Sequence, residues 1–182
     1  MKKLRISLIN IHGLLKGSGL EIGKDADNGG QTKYVYELAE FLSQHKDVEH
    51  VHLFTRLIDD PALSPEYAVP VEIVNDKLDI RRIPFLGKKY KPKEQLWEGL
   101  DTFVNGVVQH IKAHNIFPDW IHSHYGDAGY AGLRPTLAVL EDMDARGLLK
   151  LAALFGPQHG FETTTQDNMV EWRSYRHPRL GL

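Results

Sequence analysis

Gly23-Lys24-Asp25-Ala26-Asp27-Asn28-Gly29-Gly30-Gln31-Thr32-Lys33-Tyr34-Val35 follows an alternating apolar run and a long loop, and it opens an amphipathic helix. Adjacent glycines carry no Cβ, so a ligand can approach bare main chain there. The first amides of a helix have no intrahelical partner and point outward, which suits a phosphate or a polar sugar. Asp27 or Asn28 is expected to cap the helix, and Gln31 offers a donor and an acceptor in its first turn. Taken alone, a glycine pair is as well read as a tight loop-to-helix corner. The flanking sequence decides between the two.

Upstream, Leu4 to Ile11 alternates Leu4, Ile6 and Leu8 with polar residues and is rich in β-branched side chains, which predicts a buried strand. The loop between this strand and the helix holds six glycines, a length and composition typical of functional loops. Downstream, Tyr34, Val35, Leu38, Ala39 and Leu42 share one helical face, and Val48 to Thr55 reads as a second strand. Strand, glycine loop, helix and strand make a βαβ unit, whose first loop lies at the carboxyl edge of a parallel sheet, where such sheets bind ligands. The fold expected is therefore α/β: a Rossmann-like parallel sheet flanked by helices.

Arg56 to Pro70 reads as irregular, and Val71–Val74 with Leu78–Ile83 as two short extended runs, a hairpin or an edge pair. The lysine-rich run from Pro84 to Lys93 reads as a solvated loop that can also reach toward a sugar phosphate. Pro92 to His114 reads as one long helix with an apolar stripe of Leu96, Leu100, Phe103, Val104, Val107, Val108 and Ile111. Asp119 to His124 is a short strand. His122 and His124 share a face on it, and with no third ligand at a recognisable spacing they predict a stacked or hydrogen-bonded pair rather than a metal site. His124 ends that strand at the same carboxyl edge as Gly29 and Gly30, where a neutral imidazole can bond a sugar hydroxyl. Ala128 to Arg134 starts another helix. In 135–182, Leu137–Leu140 and Leu148–Phe155 are apolar, but Thr163 to Leu182 shows no clear period.

The chain of 182 residues is long enough for one domain with a real core. Its net charge of −2 gives no general attraction to nucleic acid, and the absence of cysteine excludes disulfides and thiolate metal sites. No apolar run approaches a membrane span, and the start is a strand rather than a signal peptide, so a cytoplasmic location with no membrane partner is expected. No motif calls for a cofactor.

Three stretches, in order, resemble the signatures of one family. HGLLKGSGLEIGKDADNGGQTKYVYELAEFL, then RRIPFLGKKYKPKEQLW, then FPDWIHSHYGDAGYAG are similar to the N-terminal signatures of sucrose-phosphate synthases, retaining glycosyltransferases with two Rossmann-like domains (the GT-B type). The resemblance covers residues 1–134 as a GT-B N-terminal domain and leaves 135–182 as a divergent or truncated tail. It implies transfer of glucose from UDP-glucose to fructose 6-phosphate with retention. By motif position it implies that Gly29, Gln31, Lys93 and His124 meet the acceptor, with His124 in the cleft wall, and that Gly30 lies near the donor diphosphate. It implies no metal ligand and no assigned catalytic residue.

The family continues past the HYGD signature into a Thr-Gly-His-Ser-Leu-Gly motif with the reaction-centre histidine, and Gln158-His159-Gly160 does not match it. The basic residues that grip the acceptor phosphate and the donor-binding domain are not matched either. Transfer needs a developing oxocarbenium and a departing diphosphate stabilised together with water excluded. The expectation is therefore an acceptor-side half that is inactive alone. A sucrose synthase-like transferase using free fructose and a non-catalytic sugar-phosphate-binding fragment are the alternatives.

Overall fold

The computed structural model describes residues 3–24 and 27–132, and the backbone of 163–166 and 169–172. The chain divides into two compact units, Met1–Pro135 and Thr136–Leu182. In the first, β1 (Leu4–Ile9) leads through the glycine loop to α1 (Gly30–Gln44) and β2 (Val48–Arg56). Then come a hairpin of β3 (Val71–Asn75) and β4 (Leu78–Ile83), helix α2 (Leu100–His114), β5 (Trp120–Ser123) and a helix, α3, described over 125–132. The strand order is β3-β4-β2-β1-β5. β4, β2, β1 and β5 run parallel, while β3 pairs antiparallel with β4. The fold is thus α/β as expected, but the sheet is mixed, because the short connection from Asn75 to Leu78 permits only a hairpin and not a parallel crossover.

The period of each strand explains the layers. Ile6 and Leu8 of β1, Val51 and Leu53 of β2, and Leu78 and Ile80 of β4 form one core cluster with Val35 and Ala39 of α1. Residues on the opposite face meet α2: the Phe54 ring stands edge-on to His110, and Phe85 to Phe103. Six of the seven residues expected in the α2 stripe are buried, and Val108 is half-buried.

Three local expectations are corrected. Pro92 to His114 is not one helix. Lys93–Gln95 and Trp97–Gly99 are separate 3₁₀ turns, and α2 begins only at Leu100. The Leu86 side chain fills the place of a Cβ at Gly99, so the chain bends around a residue that must be glycine. Neither Asp27 nor Asn28 caps α1. The N-cap is Gly29, with no side-chain bond to the helix. Asn28 instead donates to the Glu21 carbonyl and accepts from the Leu14 amide (3.3 Å), while Asp27 accepts from the Lys93 amide (2.8 Å). Finally, where 163–182 shows no period, β6 (Thr163–Gln166) and β7 (Met169–Trp172) pair antiparallel. Leu137–Leu140 and Leu148–Phe155 lie outside the described residues. Among those described, no helix is long and apolar enough to cross a membrane.

Candidate functional site

From β1 the chain steps outward in one direction, to β2 and then β4, and returns to β5 on the other flank of β1. The loops leaving the carboxyl ends of β1 and β5 therefore diverge, and this switch point is where open α/β sheets form a ligand crevice. The β1 loop carries Asn10, His12, Gly13 and the Gly29-Gly30 corner, and the β5 end carries His124, Tyr125 and Asp127.

At the corner, a Cβ on Gly29 or Gly30 would meet nothing within 4 Å, so both face open space. With no side-chain cap, the first amides of α1 are left to solvent or a ligand. Gly13 is the opposite case. It sits at φ +83°, and a Cβ there would lie 2.5 Å from Thr32 Oγ1 and 3.0 Å from the Asp27 carbonyl oxygen. Gly13→Ala is expected to lower the unfolding free energy by about 2 kcal/mol, while Gly30→Ala changes it by no more than about 0.5 kcal/mol. Urea denaturation of the two variants checks this contrast, and equal losses would show that the corner is packed rather than open.

Lys93 reaches the same rim. Its amide is tied to Asp27, and its Nζ lies 3.6 Å from Asp27 Oδ1 and 5.7 Å above the Tyr125 ring centroid. Tyr125, and then Asp27, raise the Lys93 ammonium above its ordinary pKa, so it is a cation at any physiological pH. Tyr125 holds φ +75°, an uncommon backbone state for an aromatic residue, and its ring stands edge-on to His12 at 4.7 Å.

Gln31 is locked by a buried network. Its Nε2 donates to Asn10 Oδ1 (2.7 Å) and its Oε1 faces His12 Nε2 (2.8 Å). His12 Nδ1 faces Asp127 Oδ2 (2.9 Å), and Asp127 Oδ1 accepts from the Ala128 amide (2.7 Å).

His124 stands apart from these groups. It is 3% exposed, its Nδ1 lies 3.3 Å from the Tyr34 hydroxyl on α1, and its Nε2 has no partner among the described residues. It stacks on His122 at 4.4 Å, in keeping with a stacked pair. Burial, followed by the neighbouring His122, pushes it down to about 4, so it is neutral at pH 7.

A second group of histidines gathers with a carboxylate on the α2 face of the sheet. His50, His52 and Asp79 bring their ligand atoms within 4.8 Å of one another. Arg81, however, donates through Nε and Nη2 to both Asp79 oxygens, at 2.9 and 2.8 Å. Burial opposes ionisation of Asp79, but bonds from His50, His52 and Arg81 outweigh it and hold the carboxyl well below the usual range. A guanidinium fork already supplies the positive charge a metal would bring, and the cluster is a satisfied ion-pair network. A cavity of about 590 Å³ lies between the end of β4 and α2, and none of the residues that line it belongs to the glycine-corner site.

No protein-family model matches the chain. Curated relatives do. The chain is 39% identical over 154 residues to a probable sucrose-phosphate synthase of Solanum tuberosum, a match covering 70% of this chain and 15% of the relative. It is 38% identical over 156 residues to sucrose-phosphate synthase 1 of Arabidopsis thaliana, covering 71% of this chain and 15% of the relative. Among solved structures, a sucrose-phosphate synthase of Thermosynechococcus elongatus superposes with a TM-score of 0.54 at 26% identity, covering 71% of this chain and 29% of that one. This chain is homologous to part of the sucrose-phosphate synthases. It spans about 15% of the length of the curated sucrose-phosphate synthases it matches.

Of the five residues singled out from sequence, Gly29, Gly30 and Gln31 are contiguous at the start of α1, and Lys93 is drawn to them by Asp27. His124 is held beneath Tyr34. Sequence reasoning missed Asn10, His12, Tyr125 and Asp127. Their one local signal was a polar cluster directly after each of two strands that end at the same edge.

Proposed function

We propose that this chain is the acceptor-side part of a retaining hexosyltransferase that moves glucose from UDP-glucose to fructose 6-phosphate. The observation that carries this reading is the open space beside the bare Gly29-Gly30 backbone at the sheet's switch point, next to the Gln31 amide and the Lys93 ammonium. The glycines let a sugar ring lie against main chain, and the amides of α1 suit an anionic or hydroxylated ligand. Lys93, 36% exposed at its side chain, supplies positive charge at this rim that favours a sugar phosphate over a neutral sugar.

In this reading the rim holds the acceptor hydroxyl in line with the anomeric carbon of the donor, converting a two-body encounter into a positioned one. Gly30 lies toward the donor diphosphate, and the nucleotide is gripped by the facing half of the cleft. The homology to sucrose-phosphate synthases supports this division of labour, and Lys93 favours the phosphorylated acceptor over free fructose.

Calorimetric titration tests it. The chain is expected to bind fructose 6-phosphate at least about tenfold more tightly than fructose, and Lys93→Ala to remove that preference. Equal affinity for the two sugars would favour the free-fructose alternative, and no binding of either would overturn the acceptor assignment.

A further inference from the structure

Asn10 Nδ2 donates to the His12 carbonyl oxygen at 2.8 Å. A peptide carbonyl only accepts, so this contact fixes which end of the Asn10 amide is which. Asn10 Oδ1 then faces Gln31 and accepts its Nε2–H. Gln31 is thereby fixed in turn, with Oε1 toward His12 Nε2, which must carry a proton to satisfy it. On the far side of the ring, the Nδ1 to Asp127 Oδ2 contact holds a second proton on the line between nitrogen and oxygen. The His12 and Asp127 side chains are 4% and 3% exposed, so no solvent competes for these bonds. A chain of four residues thus starts from one backbone oxygen and has a single self-consistent orientation.

Gln31 has one Nε2–H left over. With the other N–H on Asn10 and Oε1 engaged by His12, this N–H is the group of the amide left to meet a ligand. Without the His12 proton, only the single bond to Asn10 Oδ1 holds the Gln31 amide, and the direction of its remaining N–H is no longer fixed. Tyr125, edge-on to the His12 ring and beneath Lys93, rests on the same imidazole.

We propose that His12 is a positioning residue: its Nε2–H fixes the Gln31 amide with the remaining N–H toward the acceptor, so that the site recognises a sugar oxygen by donating to it. This rests on the acceptor reading given above. His12 does not touch substrate.

Two substitutions at one position separate this role from a merely structural one. In His12→Gln the new amide nitrogen takes the place of Nε2 and keeps the bond to Gln31. In His12→Asn it takes the place of Nδ1 and keeps only the bond to Asp127. Fructose 6-phosphate affinity is expected to stay within about twofold of the unsubstituted chain in His12→Gln and to fall about tenfold in His12→Asn. Gln31→Ala is expected to fall about tenfold too, and the His12→Asn/Gln31→Ala pair to fall no further than Gln31→Ala alone. The reverse ranking of the two His12 variants, or additive losses in the pair, overturns the proposal. If Gln31→Ala binds as the unsubstituted chain does, the acceptor role of Gln31 fails and this proposal with it. If only the His12 variants are silent, His12 alone is wrong. The unsubstituted chain gives a check that needs no variant: nitrogen-15 NMR of the His12 ring should find Nε2 protonated, and a bare Nε2 overturns the proposal.

Discussion

Arg82→Ala is expected to lower the unfolding free energy by about 3–5 kcal/mol, enough to abolish much of the stability of a domain this size. The reason is the number of groups that one guanidinium satisfies without water. Its side chain has no exposed surface. Nη1 donates to the Val69 carbonyl at 2.9 Å, and Nη2 donates to the Leu15 carbonyl at 2.9 Å and to Glu72 Oε2 at 2.6 Å. Glu72 passes the connection on, since its Oε1 accepts from the Gly17 amide at 2.8 Å. Arg82 therefore ties the glycine loop that precedes the site to the sheet edge formed by β3 and β4. Truncation leaves Glu72 Oε2 and two carbonyls without this donor beside a cavity, and Glu72 keeps only the Gly17 amide. Arg82→Met fills the volume but restores no donor, so it should recover only the packing share of the loss. Chemical denaturation of both variants measures the effect. A change below about 1 kcal/mol for Arg82→Ala would mean that the loop is anchored elsewhere. Because Leu15 and Gly17 lie between β1 and the Gly29 corner, the same variant should also weaken fructose 6-phosphate binding, although Arg82 is not at the rim.

How far sequence alone reaches is visible in this region. The strand at Leu4–Ile9, the helix at Gly30–Gln44 and the strand at Val48–Arg56 were legible because their apolar periods are local and of the right length. The parallel βαβ order then placed the glycine corner at the ligand edge. What was not legible depends on partners far along the chain. Asp27 is a good capping residue by type, yet its carboxylate goes to the amide of Lys93, 66 residues away. That bond ties down the start of the apparent long helix, whose apolar spacing continues through the 3₁₀ turns at Lys93–Gln95 and Trp97–Gly99. His12 and Asp127 are 115 residues apart, and neither has a local pattern that demands the other. Arg82 lies within the short run Leu78–Ile83, whose spacing gives no sign that its guanidinium is buried against the Leu15 carbonyl, 67 residues away.

Acid should unfold this domain through its neutral histidines. Burial, followed by the neighbouring His122, pushes His124 down to about 4, and burial, followed by His114 and Arg81, pushes His110 down to about 4 as well. In the unfolded chain both return to the ordinary histidine value near 6.5. The folded state therefore binds fewer protons than the unfolded state between about pH 6.5 and 4, and its stability falls as the pH falls through that window. Above pH 6.5 both groups are neutral in both states, and the contribution is complete and flat. For His124, which is almost fully buried, the loss across the window is about 3 kcal/mol; for His110, partly solvated, it is about half that. Asp79 does not offset it, because the bonds from His50, His52 and Arg81 keep its carboxylate ionised throughout the window. Unfolding free energies measured at pH 7 and pH 4.5 should therefore differ by several kcal/mol. In His124→Phe, which keeps an aromatic ring against Tyr34 and His122 but cannot titrate, more than half of that difference should vanish. A slope unchanged by this substitution would place the acid sensitivity in other groups and would mean that the His124 ring reaches water despite lying beneath α1.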